Sequence, residues 1–501
     1  MSELFLFVRP PRPLWPYNGP STAFWPPLAF ASLAAAIRDR VRGVRVEILD
    51  APALSMGWRT LAAELARRRP AYVGIGEEAV SCVEGLRIAR LAREGGATVV
   101  AGGCFFGHTA PDVLATGLID VVVHGEGEQT IVELVEAFRW GQRADLARVA
   151  GISFLDGDQV VTTAPRPPSA DLDRLPYPAY DLLPVASYGR HSRNHPDFGA
   201  LELSRGCVGS CEFCVLWRQM GRLVGGRLMP QLRTKSPERA LDEIQRLHRQ
   251  FGRRYIGWVD PCFNADPRVP GRLAELLLAA GIRIGQSAWI RADGVVRDAA
   301  SGALERMVRS GMNEVYLGVE RPDEDSLHGL NKTVTLDATR RAFEILAREY
   351  PQVYTAGSFI YGLPGDTPAT MRAIYRLSNE LLMDKAFFIP LTPLPGTPFW
   401  QPELWDATGV RFRQFDFLPS AVADPARAAL DRALLSACAL SWTGARIRSY
   451  LRAFCCTDAR RRRMQWRLAV RSTGFVCRAL LRAANGEGTA GAMVVPRWYE
   501  S

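Results

Sequence analysis

The sequence contains almost no lysine. Among the 62 basic residues of the 501-residue chain, the lysines are Lys235, Lys332 and Lys385, and arginine supplies the rest. The net charge of +10 is therefore carried by arginines that are spread along the whole chain. A nucleic-acid-binding protein concentrates its positive charge on one element with interleaved aromatic residues, and this pattern is only weakly present, near the C-terminus. We expect no nucleic-acid partner.

Long apolar runs are also missing. No stretch of about 18 uncharged apolar residues occurs, as a transmembrane helix would need, and the first residues carry no basic segment ahead of an apolar core, as a secretory signal would. The composition, 48% hydrophobic and 23% charged, is typical of a soluble enzyme of about three domains. We expect a cytoplasmic protein. A basic amphipathic stretch over 460–484 is either a solvated helix packed by one face or a peripheral contact with the anionic inner membrane.

Cysteine is too sparse for a disulfide scaffold, but it is clustered. Three of the ten cysteines, Cys207, Cys211 and Cys214, lie close together directly after a predicted strand. Three thiolates on one loop can hold three irons of a cubane cluster and leave the fourth iron open to a further ligand. A structural zinc usually has four protein ligands, and no matching fourth ligand lies nearby. We therefore rank an iron–sulfur cluster above zinc, and zinc above chance spacing.

Residues 1–150 alternate short apolar strands with amphipathic helices. This alternation predicts parallel βαβ units in an open, doubly wound sheet, where ligands bind outside the carboxyl ends of the strands. Residues 151–196 follow as a hairpin with a turn at Asp156-Gly157 and a proline-rich extended linker. Glycine-bearing loops fall at the predicted strand ends of the first domain, and they contain Gly74, Gly76, Gly102, Gly103, Gly125 and Gly127.

Strand and helix patterns alternate again from 197 to 400. Six βα repeats predict a partial barrel whose chemistry lies at the carboxyl ends of its strands. Residues 401–501 are predicted to be mostly helical and to shape the substrate pocket. Aromatic side chains cluster where the barrel ends. They offer an apolar wall to a substrate or, equally, ordinary packing for the C-terminal helices; they are Trp400, Trp405, Phe412, Phe415 and Phe417.

The cysteine motif, with the aromatic Phe213 before its third cysteine, resembles that of the radical S-adenosylmethionine (SAM) superfamily. The resemblance implies one [4Fe-4S] cluster on the three cysteines, with SAM on the open iron. It also implies that Asp260 accepts the methionyl ammonium group, and an arginine would pair with the carboxylate through its bidentate fork. The SAM contacts implied in this way are Phe213, Asp260, Gln286, Arg291 and Glu320.

The first domain resembles the cobalamin-binding domain that precedes a radical SAM barrel in many enzymes. The matching segments are 99–115 and 120–138, and the alternative is an ordinary flavodoxin-like domain without a ligand. The Asp-x-His-x-x-Gly motif that supplies a cobalt-ligating histidine is missing. We therefore interpret His108 as a loop or tail contact and expect no histidine on cobalt. The implied cobalamin contacts are Gly74, Gly102, Gly103, His108, Gly125, Glu126, Gly127 and Glu128.

Three further segments narrow the resemblance. Trp25-Pro26-Pro27, the LNKTVT segment at 330–335 and the segment 390–400 are similar to a subgroup that includes the anaerobic magnesium-protoporphyrin monomethyl ester cyclase and the bacteriochlorophyll and hopanoid methylases. The implied fold is α/β: a Rossmann-like cobalamin-binding domain over 1–150, a partial (β/α)6 radical SAM barrel over 197–400 and a helical region beyond it.

The resemblance implies radical C-methylation. A 5′-deoxyadenosyl radical would activate an unactivated carbon of a hydrophobic, tetrapyrrole or isoprenoid-like substrate, and methylcobalamin would supply the methyl group. Flavodoxin or ferredoxin would be the electron donor. Two alternatives stay open: oxidative cyclisation of a tetrapyrrole side chain, and a non-catalytic cobalamin-responsive binding protein, in which the cysteines would be dispensable.

Overall fold

The structure is a computed structural model, and it describes residues 3–12, 25–76, 81–140, 143–190, 195, 197–400 and a few single positions beyond 400. Four of the aromatic residues expected to line the substrate pocket, Trp405, Phe412, Phe415 and Phe417, lie outside the described residues. So does nearly all of the basic stretch over 460–484. Within the described part of the chain, no helix is long and apolar enough to cross a membrane.

The first domain is built on a seven-stranded sheet with the order β2-β1-β3-β4-β5-β6-β7. Its first five strands are parallel, and β6 and β7 add an antiparallel edge. The strands are β1 (Glu3–Arg9), β2 (Val44–Asp50), β3 (Tyr72–Ile75), β4 (Thr98–Ala101), β5 (Val121–Val123), β6 (Ile152–Asp156) and β7 (Gln159–Thr162). The helices are α1 (Leu28–Arg40), α2 (Trp58–Arg68), α3 (Cys82–Glu94), α4 (Gly103–His108), α5 (Ala110–Ala115) and α6 (Glu128–Trp140).

Strand β1 shows why this sheet is covered on both faces. Its alternate side chains enter two different apolar clusters, with Phe5 and Phe7 in one and Leu4, Leu6 and Val8 in the other. A strand buried on both sides needs the near-continuous apolar run that the sequence has here. The predicted doubly wound α/β architecture is confirmed.

The segment after the sheet contains one confirmed and one corrected expectation. Strands β6 and β7 pair antiparallel around the turn at Asp156-Gly157, as the sequence predicted. The proline-rich stretch is not a free spacer, however. Tyr180 and Tyr188 are buried in the apolar cluster that also contains side chains from both sheets, and the Tyr188 hydroxyl donates to Asp50 Oδ2 over 2.7 Å. The linker therefore belongs to the core that joins the two parts of the molecule.

The second sheet is parallel, with the order β17-β16-β15-β14-β13-β8. Its strands are β8 (Phe198–Leu201), β13 (Tyr255–Trp258), β14 (Gly285–Ile290), β15 (Met312–Glu320), β16 (Tyr354–Tyr361) and β17 (Lys385–Pro390). All six predicted strands are present, and the partial (β/α)6 barrel is confirmed. The short elements β9 (Ser204–Gly206), α7 (Leu216–Met220), β10 (Arg222–Val224), β11 (Arg227–Met229) and β12 (Leu232–Thr234) were not predicted from the sequence.

Helices cover one face of this sheet and have clear sequence signals at their ends. Helix α8 (Pro237–Phe251) begins after Ser236, whose side chain accepts from the Arg239 amide, and ends at Gly252, which adopts the left-handed conformation. The other helices are α9 (Val269–Ala279), α10 (Ala292–Ala300), α11 (Ala303–Ser310), α12 (Glu324–Gly329), α13 (Leu336–Glu349) and α14 (Pro368–Glu380).

The opposite face, which we call the barrel interior, carries the alternate side chains of the same strands. Phe198 and Tyr255 form one small cluster there, and Tyr354, Tyr316 and Phe387 form another, both separate from the main core. The barrel interior thus combines apolar packing with polar side chains at fixed positions.

Candidate active site

The three cysteines lie on a loop that the backbone of the barrel holds firmly. Gly206, just before the loop, has φ +88°, and a Cβ there would collide with the carbonyl oxygen of Gln231, so glycine is required. The Glu212 amide donates to the Leu330 carbonyl over 3.0 Å, and the Trp217 indole donates to the Cys211 carbonyl over 2.9 Å. The loop is therefore anchored on both sides of its cysteines.

The thiols lie around the centre of the loop and are half-buried. The Sγ atoms of Cys207 and Cys211 both lie 3.9 Å from the position that a Cβ of Gly209 would take. Burial raises the pKa of Cys211 to about 11, although Lys332 beside it acts in the opposite direction. Burial likewise raises the pKa of Cys214. Metal ligation requires the thiolate form, so a bound cluster would have to stabilise charges that the protein alone does not.

Mononuclear metal sites are not apparent in this arrangement. Among the described residues, no group of three or more His, Cys, Asp or Glu side chains converges as the ligand set of one ion. A structural zinc site needs its ligand atoms gathered at about 2.0–2.3 Å from one centre. Three thiolates on one loop can hold three irons of a cubane cluster.

Arg291 and Glu320 lie near the cysteine loop. An Arg291 Nη1 atom lies 3.6 Å from the Cβ position of Gly209, and Asp293 accepts two hydrogen bonds from the same guanidinium. Glu320 has φ +66° and lies 3.2 Å from Lys332 Nζ. Phe213 is half-buried within the loop itself.

Lys332 is a site residue that the sequence reasoning missed. Burial acts to lower the pKa of its ammonium, but Glu320 and Cys211 beside it raise the pKa above the ordinary value. It is therefore a charged group next to the cysteine loop. The scarcity of lysine and its position in the LNKTVT segment were the available signals.

Asp260 and Gln286 have other partners than those expected. Asp260 is buried at 1% exposure and accepts from the Leu203 amide and the Ser204 hydroxyl over 3.0 and 2.5 Å. Burial raises its pKa to about 6. Gln286 points to the helix-covered face, where it accepts from the Trp258 indole over 3.0 Å. Both side chains serve packing and turn geometry here, because alternation along the strand placed Gln286 away from the barrel interior.

The glycine loops of the first domain form a close-packed edge at the ends of β3, β4 and β5. Gly76 has φ +136°, and a Cβ there would collide with the Gly102 carbonyl oxygen, while Gly103 has φ +85°. Gly125 has φ +67° with no atom within 4 Å of its Cβ position, so this loop has open space beside it. These positions fit a cradle for a large flat ligand.

Gly74 and Gly127 do not belong to that cradle. A Cβ at Gly74 would lie 2.5 Å from the Phe7 ring, and a Cβ at Gly127 would lie 2.9 Å from Leu33. Gly74 lies within β3 and makes room for a phenylalanine, and Gly127 permits the approach of helix α1. Both glycines are explained by packing within the domain.

Glu126 and Glu128 are occupied by ion pairs with the barrel. Arg205 Nη2 lies 2.6 Å from Glu128 Oε1 and its Nη1 lies 3.5 Å from Glu126 Oε2. Arg233 also pairs with Glu126. The two arginines are only 7% exposed. The acidic loop that resembles a cobalamin contact therefore docks the first domain onto β9 and β12, which precede and follow the cysteine loop.

His108 and Trp400 also join the two parts of the molecule. The His108 ring lies 2.7 Å from the position that a Cβ of Gly396 would take, and burial lowers the pKa of His108. Trp400, expected to line the substrate pocket, packs edge-on against Phe105 of the first domain with ring centroids 6.4 Å apart. Trp25 instead enters the barrel interior, 4.8 Å from the Phe198 ring centroid.

Two family models match the chain. The radical SAM superfamily model matches residues 201–378, and the B12 binding domain model matches residues 15–135. The chain is a radical SAM enzyme. More particularly, it is one with a B12-binding domain ahead of the radical SAM domain, and a [4Fe-4S] cluster, SAM and cobalamin are the cofactors that go with these two domains.

Several curated proteins resemble the chain along much of its length. An uncharacterized methyltransferase of Pyrococcus horikoshii is 29% identical over 75% of this chain and 78% of its own length. The anaerobic magnesium-protoporphyrin IX monomethyl ester cyclase of Cereibacter sphaeroides is 29% identical over 58% of this chain and 46% of its own length. The hopanoid C-3 methylase of Methylococcus capsulatus is 28% identical over 63% of this chain and 56% of its own.

A solved structure shares the fold over almost the whole chain. The cobalamin-dependent SAM radical enzyme OxsB, with aqua-cobalamin and SAM bound, superposes with a TM-score of 0.65 at 17% identity. The superposition covers 96% of this chain and 72% of OxsB. The order of the two domains and the parallel sheet of the second are therefore a known arrangement.

Proposed function

We propose that this chain is a cobalamin-dependent radical SAM C-methyltransferase that acts on an unactivated carbon of a hydrophobic substrate. The observation that carries the proposal is the buried bridge from Glu126 and Glu128 through Arg205 to Cys207, two residues further along the chain. This bridge ties the glycine loops of the B12-binding domain to the cysteine loop of the barrel. When bound, the cluster and SAM supply a carbon-centred radical, and cobalamin supplies a methyl group.

The residues of the chain have separate tasks in this proposal. Cys207, Cys211 and Cys214 hold the cluster. Arg291 pairs with Asp293 through Nε and Nη2 and would bind the carboxylate of SAM through Nη1, which lies next to the cysteine loop. Glu320 with Lys332 forms a charged pair beside this loop. The backbone at Gly76, Gly102, Gly103 and Gly125 would hold cobalamin. His108 packs on Gly396, and we expect it to make no bond to the cobalt.

The domain limits follow from the same assignment. We assign 1–150 to the cobalamin-binding domain, 151–196 to the hairpin and proline-rich linker, 197–400 to the barrel and 401–501 to the region that shapes the substrate pocket. An electron-transfer protein such as flavodoxin or ferredoxin reduces the cluster. The names of the relatives suggest a tetrapyrrole or an isoprenoid as substrate, and oxidative cyclisation of a tetrapyrrole side chain is the competing reaction.

The test is label transfer under anaerobic conditions. The full chain is reconstituted with iron, sulfide and cobalamin, reduced, and incubated with methyl-deuterated SAM and either porphyrin carboxylates or hopanoids. We expect mass spectrometry to find the labelled methyl group on carbon of one substrate class. A variant with all three loop cysteines replaced by alanine is the control and should transfer none. Conversion of a porphyrin side chain without any label would instead support the cyclase.

A further inference from the structure

Among the residues that the structure describes, the barrel interior contains one ammonium group, that of Lys385, without an acceptor. Within the described residues, Lys385 makes no hydrogen bond and no ion pair, and its Nζ lies 4.0 Å above the ring centroid of Phe387. The other two lysines of the chain are both paired, Lys235 with Glu243 over 2.9 Å and Lys332 with Glu320 over 3.2 Å. Because an enclosed ammonium group is costly without an acceptor, Lys385 is poised for an anion from outside the protein.

Glu314, the buried acid whose charge acts on Lys385, does not fill this need. Glu314 is 4% exposed, and its oxygens already accept from Tyr316 over 2.5 Å and contact His195 Nε2 over 2.5 Å. Burial lowers the pKa of Lys385, and Glu314 opposes this through its charge without reaching hydrogen-bond distance. A second negative charge close to Glu314 is disfavoured, so the missing partner is a singly charged group rather than a dianion.

An aromatic wall continues from Lys385 along the barrel interior. Phe387 lies 6.3 Å from Tyr316, and Tyr316 stacks on Trp289 with ring centroids 5.2 Å apart. Trp289 remains 39% exposed, although it lies inside the barrel. Exposed aromatic surface of this kind suits a flat apolar ligand.

We propose that the barrel interior binds an amphiphilic carboxylate, with the flat apolar body against Trp289 and Tyr316 and the carboxylate on Lys385. This inference rests on the proposed function and narrows it, because it favours a ring system that carries carboxylate groups over a neutral isoprenoid hydrocarbon. Lys385 and Trp289 are specificity residues of the substrate pocket in this account.

The first test uses the three lysines as internal controls. The reconstituted full chain is treated with cyanate near neutral pH, and carbamylation at each lysine is followed by peptide mass spectrometry. An ammonium group held in an ion pair stays in the unreactive charged form, so we expect Lys385 to react faster than Lys235 and Lys332, which are both paired. Bound 1-pyrenebutyrate should protect Lys385, and 1-pyrenebutanol at the same concentration should not.

The second test measures selectivity in binding. Fluorescence anisotropy gives the Kd of 1-pyrenebutyrate and 1-pyrenebutanol for wild type, Lys385→Met, Lys385→Arg and Trp289→Leu. We expect wild type and Lys385→Arg to prefer the carboxylate by about tenfold, which is about 1.4 kcal/mol. Lys385→Met should lose the preference, and Trp289→Leu should weaken both ligands alike. Arg272→Met, which removes an exposed cation outside the barrel interior, is the charge-matched control and should behave as wild type.

Two outcomes contradict the inference. One is equal carbamylation of Lys385 and Lys332, or equal protection by both pyrenes. The other is a carboxylate preference that persists in Lys385→Met. Neither readout requires turnover, so a selective Lys385 in a protein that transfers no methyl group would refute the proposed function alone. Methyl transfer by a protein without this selectivity would refute the inference alone.

Discussion

The two sheets of the molecule share one pattern of alternating strands and helices, yet the charged residues near the carboxyl ends of their strands have different roles. At the carboxyl ends of the strands of the first sheet, Glu126 and Glu128 are paired with Arg205 and Arg233. The backbone of the glycine loops is then what can face a ligand. At the carboxyl ends of the strands of the second sheet, the cysteine thiols and the Arg291 guanidinium lie around one loop. The first sheet thus supplies a backbone surface for a ligand, and the second supplies reactive side chains. Acidic residues in a predicted binding loop can instead hold two domains together.

The largest effect on activity is expected from changes in the cysteine loop. Replacing Cys207, Cys211 and Cys214 by alanine removes the thiolates that hold the cluster. We expect no reconstituted iron–sulfur absorption and no reductive cleavage of SAM, measured as 5′-deoxyadenosine. Cys262→Ala is the matched control, because Cys262 is buried and contacts Asn264 outside the loop, and it should retain both. Cleavage of SAM by the triple variant would show that the cysteine loop is not the reactive site that distinguishes the second sheet from the first.

The next largest effect concerns the ion pairs that Arg205 makes with Glu126 and Glu128 between the two domains. Arg205→Met leaves Glu126 and Glu128 without their shared cation in a buried site, at a cost of about 3–5 kcal/mol. Unfolding by denaturant should show this loss, and methyl transfer should fall more than SAM cleavage. Arg254→Met breaks an exposed pair with Asp197, where Arg254 is 71% exposed, and should cost less than about 1 kcal/mol. Equal costs would mean that the bridge is not a buried structural element.

Asp260 gives a pH-dependent prediction. Its pKa is raised by burial from 3.8 to about 6, so the fold disfavours the ionised form. Ionisation costs no stability below about pH 4 and reaches its full cost, about 3 kcal/mol or less, above about pH 6. The stability of wild type relative to Asp260→Asn should therefore fall as the pH rises from 4 to 7, measured by urea unfolding of the cluster-free chain. A difference that grows with pH would show that the amide donors of Leu203 and Ser204 outweigh burial.

The smallest effect tests the packing of the barrel interior. A Cβ at Gly257 would lie 2.3 Å from the Phe198 ring and 2.6 Å from the Trp25 ring, so Gly257→Ala overpacks both contacts and should lower the free energy of unfolding by about 1–3 kcal/mol. Gly329→Ala, with nothing within 4 Å of the added Cβ, should be neutral or stabilising by up to about 1 kcal/mol. Thermal unfolding compares the two variants. The same Tm for both would show that Trp25 does not rest on Gly257.

Sequence reasoning reached the elements better than the contacts. The alternation of strands and helices over 197–400 was predicted, and helix α8 carries ordinary end signals at Ser236 and Gly252. The cysteine spacing predicted the loop. The roles of Gln286 and Glu126 could not be predicted in this way. Alternation places Gln286 on the face of β14 that Ala288 and Ile290 share, but which face the helices cover depends on the whole sheet. The partners of Glu126 lie 79 and 107 residues away in the chain. Neither is visible in local spacing.

The central claim is that the cysteine loop of the barrel and the glycine loops of the B12-binding domain act in one reaction. It is tested most directly by counting 5′-deoxyadenosine and S-adenosylhomocysteine against product in one anaerobic turnover experiment with methyl-deuterated SAM. The account predicts that each labelled product is accompanied by one molecule of each, because one SAM gives the radical and another renews the methyl group. 5′-Deoxyadenosine formed with product but without S-adenosylhomocysteine would contradict it and would assign the chain to cyclisation.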